Sequence, residues 1–384
     1  MKKLMVILVP LLVLSLVLGA VGCGGDEATP VPTVAPTAAP TVAPTGAPTA
    51  APTGAPTAAP TGAPTGAPTA APTPTPKHET IVLKLAHGKP PGEFVDLVAE
   101  KFKELAAEYT DGVVQIEVFP LGTLVSDYIQ FDAISTGIAD LGLCSGYLIQ
   151  SVIPDWKIFF HWFWWDGAEH AKAFLDHPDG GQQMIKKLEQ FNIKGLLTFP
   201  ESALNIWVMK DKEVKSAWDA AGLRFRSVWG LAGVPQVLIG ASTLQIAYAE
   251  ALAAYEQGVV NAYGDTTTAI VASKLYEMSK YAFIMPWGIM ADRNLIMNLD
   301  KWNNLPADIR DMISNTIIPE LNNWAYENRD RIENEAAGIL EEHITVHYQT
   351  KAEREELRDA IWPLVEPYME NVDPDLLALG ESLR

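Results

Sequence analysis

Residues 81–119 read IVLKLAHGKPPGEFVDLVAEKFKELAAEYTDGVVQIEVF and carry two different hydrophobic periods. The apolar run at 81–86 predicts a buried strand, and the alternation at 114–118 predicts a second strand before Pro120. Between them, Asp111-Gly112 ends a segment whose apolar side chains recur at helical spacing: Val95, Val98, Phe102, Leu105 and Tyr109. The stretch therefore predicts a strand–helix–strand unit, which favours a parallel sheet covered on both faces.

The same alternation continues outward from this unit. We predict a helix over 127–136 and a strand over 138–143, and then a second α/β region after residue 200. A long helix over 307–342, kinked at Pro319, connects the two regions. The pattern predicts an α/β fold of two lobes with crossing strands, whose default binding pocket lies between the lobes. The later elements are strands at 204–209, 223–227, 281–285, 294–299 and 344–348 and helices at 231–240, 249–257 and 351–369.

Composition excludes several classes of protein. The formal net charge is −19, with no basic tract beyond Lys2-Lys3, so nucleic acid is not a predicted partner. Two cysteines exclude a disulfide scaffold, and Cys144 is expected to be a buried small hydrophobe. Fourteen of the 28 prolines lie between Pro30 and Pro76, which separates this segment from the rest of the chain.

The first 76 residues predict a targeting segment followed by a linker. Residues 1–22 have the positive start and apolar run of a signal peptide, although a membrane anchor is the alternative. The sequence at 20–23, AVGC, resembles a lipobox, which makes Cys23 a lipidation candidate or else an incidental cysteine. Residues 23–76 repeat Ala-Pro-Thr and predict a disordered linker, because proline removes backbone donors and no apolar face is available.

The remaining residues, 77–384, show no nucleophile elbow, dinucleotide turn or phosphate loop, and we predict no catalytic residue, metal or cofactor. One basic pair stands out. In GLRFR at 222–226, alternation places Arg224 and Arg226 on one face of a strand. A guanidinium there is suited to bind a carboxylate bidentately, and an inter-strand ion pair is the equal alternative.

Five further motifs follow one another along the chain. They are KFKEL at 101–105, GVVQIEVFP at 112–120, AISTGIAD at 133–140, KLYEMSKY at 274–281 and WNNLP at 302–306. In this order, and with Ala86-His87 ahead of them, they resemble the extracytoplasmic solute receptors of TRAP transporters, the DctP-like family. The resemblance covers nearly all of residues 80–372. It implies a two-lobed periplasmic-binding-protein-like fold with one long inter-lobe helix.

The resemblance also implies a binding site. GLRFR matches the family motif whose last arginine clamps a carboxylate, so Arg226 becomes the expected anchor, and Tyr248 is either a ligand contact or a core ring. Asp265 stands where the family commonly has an asparagine or glutamine. A carboxylate there would bind a ligand hydroxyl, an amine or a bridging cation, and would repel a second carboxylate. The other predicted contacts are His87, Tyr147, Trp164, Trp229 and Trp287.

The function implied is capture of an organic monocarboxylate, with a bulky apolar or aromatic body, for delivery to TRAP permease subunits. The predicted location is extracytoplasmic, with a lipid anchor in the membrane at Cys23. Lobe I is expected over about 78–200 and 288–330, and lobe II over about 201–287 and 331–384. Two alternatives remain: a lipoprotein of this fold that senses a solute for a signalling partner, and an extracellular hydrolase.

Overall fold

A five-stranded mixed sheet forms around the strand–helix–strand unit. The computed structural model describes residues 78–161, 163–227, 233–290 and 293–384, without the side chains of 227 and 287–290. The predicted signal peptide, Cys23, the linker, Trp162 and Trp229 lie outside the described residues, as does the side chain of Trp287. Numbered along the chain, the strands of this sheet are β1 (Ile81–Ala86), β2 (Val114–Phe119), β3 (Leu141–Ser145), β4 (Ile193–Phe199) and β10 (Arg293–Asn298).

The order in this first sheet is β2-β1-β3-β10-β4. Strands β1, β2 and β3 are parallel, as the sequence predicts, whereas β10 is antiparallel to both of its neighbours, β3 and β4. This reversal follows from the chain path, because β10 enters the first sheet directly from the last long strand of the second sheet.

The second sheet has six strands in the order β11-β9-β5-β8-β6-β7. Strand β5 is antiparallel to β8 and β9, whereas β6 is parallel to both β7 and β8. Two passages between the sheets are direct, from β4 to β5 and from β9 to β10, and a third runs through the helices between β10 and β11. The strands are β5 (Ser202–Met209), β6 (Arg224–Ser227), β7 (Ser242–Gln245), β8 (Ala262–Asp265), β9 (Tyr281–Met290) and β11 (Thr345–Tyr348).

Thirteen α-helices occur in the described part of the chain, together with several short 3₁₀ turns. Those predicted from periodicity are present, and Gly112, at φ +77°, lies in the turn that ends the first of them. They are α1 (Phe94–Tyr109), α2 (Gln130–Ser135), α3 (Gly146–Ile149), α4 (Ala168–Asp176), α5 (Gly181–Lys186), α6 (Val234–Leu238), α7 (Tyr248–Glu256), α8 (Thr267–Ala272), α9 (Leu299–Asn304), α10 (Ala307–Met312), α11 (Ile318–His343), α12 (Lys351–Val365) and α13 (Pro374–Ser382).

The long helix predicted over 307–342 is continuous but irregular. A π-helical turn, Ile313–Ile317, joins α10 to α11 immediately before Pro319. Proline has no N–H to donate to the preceding turn, and a wider turn at this point accommodates the missing hydrogen bond. Leu321 packs in the core of the first sheet, while Leu340, near the other end of α11, packs in the core of the second. The helix therefore contributes to both sheets.

The C-terminal segment differs from the prediction in one respect. Helix α12 contains Pro363 and gives way to a 3₁₀ turn at Glu366–Met369, in agreement with the predicted interruption. Helix α13, by contrast, was not predicted. Its residue Leu376 belongs to a large apolar core that also includes Trp156 and Phe174. The segment is short and has little periodic signal, so its position depends on this tertiary packing.

Candidate ligand-binding site

A buried cluster of charged side chains lies where the two sheets meet. Arg226 is near the carboxyl end of β6, and Asp265 is the last residue of the parallel strand β8. Lys89 follows β1 of the first sheet, while Glu201 and Arg293 stand at the two points where the chain passes directly between sheets. Ligands of open α/β sheets bind at the carboxyl ends of parallel strands, so this cluster is the candidate site.

Arg226 and Arg224 occupy one strand face, as alternation predicts, but their environments differ. Arg224 is exposed, and its side chain donates to the backbone oxygens of Val259 and Gly258 at 3.1 and 2.9 Å. Arg226 is 5% exposed, and its Nε donates to the backbone oxygen of Ile246 at 2.9 Å. Arg226 is therefore the buried cation of the pair and the one available to a ligand between the sheets.

Two tyrosine rings lie against the Arg226 guanidinium. Its central carbon lies 5.4 Å from the ring centre of Tyr248 and 5.5 Å from that of Tyr263, within cation–π range. The Tyr248 hydroxyl bonds to Ser273 Oγ at 2.7 Å, and burial raises the pKa of this hydroxyl well above its ordinary value. Tyr248 is therefore a buried ring beside Arg226, and its role as a ligand contact stays a prediction.

Asp265 pairs with cations from both sheets. Its Oδ1 lies 2.6 Å from Lys89 Nζ, and its Oδ2 lies 3.9 Å from Arg226 Nη1. The backbone N–H of Thr266 also donates to Oδ1, at 2.9 Å. Burial alone would lower the pKa of Lys89, but Asp265 and Glu201 raise it overall, so this lysine stays charged.

Glu201 extends the chain of ion pairs. Its Oε1 lies 2.8 Å from Lys89 Nζ, and its Oε2 lies 2.6 Å from Arg293 Nε. Burial would raise the pKa of Glu201, but the attraction of Arg293 and Lys89 is larger and lowers it to about 2. The described chain of ion pairs therefore alternates in sign: Arg226, Asp265, Lys89, Glu201, Arg293. Within this chain each of the two carboxylates contacts two cations.

Glu93 is a buried carboxyl beside this chain. It is the N-cap of α1 and accepts from the backbone N–H of Val95 at 2.7 Å. Its other oxygen accepts from the hydroxyls of Thr266 and Thr268 at 3.3 and 3.0 Å. Among the described residues, no cation lies within ion-pair distance of it. Burial accordingly raises the pKa of Glu93 to about 7, so it is largely neutral in weakly acidic solution.

Tyr147 and His87 lie near the cluster. The Tyr147 ring packs edge-on to Tyr128 at 6.3 Å, and burial raises the pKa of its hydroxyl well above the ordinary value. Arg293 and Arg226 partly offset this rise in the pKa of the Tyr147 hydroxyl. His87 is fully buried at the end of β1, and its Nε2 lies 3.2 Å from Asp96 Oδ1, at the start of α1.

Among the predicted tryptophan contacts, Trp164 has a described side chain. It stacks on Trp362 at 6.0 Å, lies under the guanidinium of Arg384 at 5.4 Å and contacts the His161 ring at 5.8 Å. These neighbours are not part of the charged chain, and we leave Trp164 out of the proposed site. Trp207 packs against Phe225 and Phe283 in the core. The aromatic rings described within cation–π range of Arg226 are those of the two tyrosines.

Four residues of the cluster were not predicted from the sequence: Lys89, Glu93, Glu201 and Arg293. Two features of the sequence could have indicated them. Lys89 and Glu93 enclose the Pro-Pro-Gly turn that follows a parallel strand, at the edge where ligands bind. Glu201 and Arg293 occur close to the positions where the predicted lobes exchange the chain. Within the described ranges, no group of three or more His, Cys, Asp or Glu side chains is arranged to hold a metal ion. None of the described helices is both long enough and apolar enough to cross a membrane.

Two α/β sheets linked by crossing strands, with a buried cation between them, define the class of two-lobed solute-binding proteins. A family model described as "Bacterial extracellular solute-binding protein, family 7" (DctP) matches residues 85–371. The chain belongs to this family, whose TRAP receptors are extracytoplasmic. A second model, described as "PT disordered repeat", matches residues 26–65.

Individual relatives are distant. The chain is 29% identical to the uncharacterized protein y4mM of Sinorhizobium fredii, over 54% of this chain and 38% of that protein. It is 26% identical to the C4-dicarboxylate-binding periplasmic protein DctP of Rhodobacter capsulatus, over 60% of this chain and 69% of the relative. The galactonate complex of the sugar acid binding protein DctPAm from Advenella mimigardefordensis superposes with a TM-score of 0.74, at 20% identity, over 80% of this chain and 99% of that one. These matches confirm the predicted fold and family.

Proposed function

We propose that the protein is the extracytoplasmic receptor of a TRAP transporter and that it captures an organic acid through the carboxylate, on Arg226. The observation that carries the proposal is the buried guanidinium beside the rings of Tyr248 and Tyr263, at the edge where the sheets meet. A planar guanidinium binds a carboxylate through two parallel hydrogen bonds. The two rings contact the guanidinium and offer apolar contact to the body of the ligand.

The ion pairs of the cluster support a ligand with a single carboxylate. Lys89 already has two carboxylates close to it, Glu201 at 2.8 Å and Asp265 at 2.6 Å, whereas the contact of Arg226 with Asp265 is longer, at 3.9 Å. A ligand carboxylate on Arg226 gives this buried cation a closer partner. The Rhodobacter capsulatus relative is named for C4-dicarboxylates and the Advenella protein holds galactonate, a monocarboxylate. Both support an organic acid as the ligand class. A bulky apolar or aromatic body remains part of the proposal.

Contacts between the sheets suggest how capture is linked to closure. Lys89, after β1, reaches Asp265 at the end of β8, and Glu93 reaches Thr268 in α8. Both contacts join elements of the first sheet to elements of the second. A ligand on Arg226 stabilises the arrangement in which they form, because a ligand shifts a population only through its different affinities for the two states. The permease subunits would release the ligand by favouring the open arrangement.

We also propose the wider organisation predicted from the sequence. Residues 1–22 are a signal peptide, Cys23 carries a lipid, and residues 23–76 tether the receptor to the membrane. Lobe I comprises about 78–200 and 288–330, and lobe II the remainder of the folded part. We propose a binding role without catalysis. The sensing and hydrolytic alternatives have no specific observation in their favour.

The experiment that tests the function is calorimetric titration of the full-length chain in detergent with a panel of organic acids. Arg226→Ala should weaken binding of the best acid by about 2–5 kcal/mol, the cost of removing one partner of a buried ion pair. Arg224→Ala removes the same charge from the exposed position on the same strand face and should leave affinity unchanged. Equal affinity in wild type and Arg226→Ala would remove Arg226 from the site. The acid should be recovered chemically unchanged.

A further inference from the structure

The carboxylate of Asp265 lies between the two cations nearest the proposed ligand position. Lys89 approaches Oδ1 at 2.6 Å, a direct charge-assisted hydrogen bond. Arg226 Nη1 is 3.9 Å from Oδ2, which is within ion-pair range but beyond hydrogen-bond distance. Asp265 is buried, as are both of its cationic partners. The two contacts are therefore unequal, and Lys89 is more tightly bound to Asp265 than Arg226 is.

The position of Asp265 is fixed by its surroundings. The backbone N–H of Thr266 donates to Oδ1 at 2.9 Å, and Asn205 Nδ2 donates to the backbone oxygen of Asp265 at 3.3 Å. Lys89 is also held by Glu201 Oε1 at 2.8 Å. Lys89 thus has carboxylates on two sides. Arg226 donates through Nε to the backbone oxygen of Ile246 and has the longer ion pair with Asp265, so its terminal nitrogens are placed to bind a ligand carboxylate.

We propose that Asp265 restricts the site to ligands with one negative charge, because it serves as a built-in counter-ion for Lys89. This rests on the proposed function, in which Arg226 binds the ligand carboxylate. Asp265 occupies the place beside Lys89 that a second ligand carboxylate would need. A dianion would have to displace it or lie against it, and like charges in a buried site repel strongly.

Two substitutions change the charge of the site in a controlled way. Asp265→Asn keeps the size of the side chain and frees Lys89 from one carboxylate, which removes one negative charge from the site. Adding Lys89→Gln in the double variant removes one positive charge and restores the net charge of the wild-type site. Asp211→Asn is the matched control, since Asp211 is an exposed carboxylate paired with Lys280 at 2.6 Å. Asp265→Ser serves as a second single variant if Asp265→Asn does not fold.

The experiment uses rigid pairs of probes that differ by one charge: fumarate and its monoamide, and terephthalate and its monoamide. Affinities are measured by calorimetry with the full-length chain at about pH 6, where the carboxyl groups of these acids are ionised. Wild type and Asp211→Asn should prefer the monoamide of a pair. Asp265→Asn should reverse that preference in favour of the diacid by about tenfold, and the double variant should restore it.

The inference is overturned if the preference between diacid and monoamide is the same in Asp265→Asn as in wild type, or if wild type prefers the diacid. The inference is also overturned if none of the variants binds either probe, because Asp265→Asn then shows no gain in affinity for the diacid. Failure of the proposed function gives a different result, in which binding of these acids does not depend on Arg226. Binding that requires Arg226 with an unchanged preference contradicts only the role of Asp265.

Discussion

Arg226 and Arg224 are two residues apart, and the difference between them shows what a single position contributes. Alternation along a strand correctly placed both side chains on one face, and the resemblance to DctP-like receptors pointed to Arg226. Burial of Arg226 could not be derived from alternation, because it depends on Tyr248 and Tyr263 from later segments. Lys89 shows the same limit more clearly. Its partners Glu201 and Asp265 are more than a hundred positions away, and no local pattern indicates them.

Glu93 gives a prediction about pH. The pKa of its carboxyl rises from 4.5 in the unfolded chain to about 7 in the folded chain. Between these two pH values the folded chain therefore holds a proton that the unfolded chain has released. Its stabilising contribution is present below pH 4.5 and is lost as pH rises to about 7. Glu333, with a pKa also raised to about 7 by burial, acts in the same direction. The free energy of unfolding should therefore fall as pH rises through this range.

Glu93→Gln should make that fall smaller, because the amide is uncharged at every pH. Urea unfolding of the full-length chain at about pH 5 and about pH 8 measures the difference. Glu100→Gln, an exposed position in the same helix, is the control and should leave the pH dependence as in wild type. An identical pH dependence in Glu93→Gln and wild type would show that Glu93 is not protonated in the folded protein at the lower pH.

At the scale of elements, helix α11 forms hydrogen bonds with the start of β5, where the chain arrives from β4. Glu333 in this helix accepts from the hydroxyl of Ser202 and, at 3.2 Å, from the backbone N–H of Ala203. Ser202 is the residue after Glu201, which belongs to the charged chain. Helix α11, which contributes to both sheet cores, is thus also hydrogen-bonded to the segment that leads from β4 to β5. This connection positions Glu201 relative to Lys89.

Glu333→Ala should destabilise the protein by about 1–3 kcal/mol, because it removes the acceptor of the Ala203 N–H and one acceptor of the buried Ser202 hydroxyl. Chemical denaturation of the full-length chain measures the loss. Glu335→Ala removes an exposed carboxylate from the same helix, where it pairs with Arg331, and should change stability by less than about 1 kcal/mol. Equal stability of the two variants would contradict a role for Glu333 at the crossing.

Elements with a strong period could be predicted from sequence, and those without one could not. Strand β1 and helix α1 coincide closely with their predictions, since their apolar faces are long and regular. Helix α13 and the antiparallel orientation of β10 could not be predicted from the sequence. The first is short and depends on packing with residues such as Trp156. The second depends on where the chain returns from the other sheet, which hydrophobic periodicity does not encode.

At the scale of the whole molecule, the charge of the chain opposes its proposed ligand. The formal net charge of −19 repels an anion at long range, while the cluster around Arg226 offers a buried cation at short range. The receptor therefore depends on local pairing rather than on its overall field. This explains why a small group of buried cations determines binding in so acidic a protein.

The long-range repulsion predicts how the rate of ligand association depends on salt. Raising the ionic strength from about 0.01 to about 0.15 M shortens the screening length from about 30 to about 8 Å and weakens the long-range repulsion. The association rate constant of an organic anion should therefore rise with salt, in stopped-flow experiments that follow tryptophan fluorescence. A cationic field that steers the ligand would make the rate fall instead. A fall with increasing salt would contradict the local-pairing account.

The central claim is that Arg226 binds the carboxylate of the ligand between the two sheets. A crystal structure of the complex with the tightest-binding organic acid tests it most directly. We predict a ligand carboxylate whose oxygens lie about 2.7–2.9 Å from the Arg226 guanidinium nitrogens, with Asp265 still bound to Lys89. A carboxylate bound elsewhere, with no contact to Arg226, would contradict the claim.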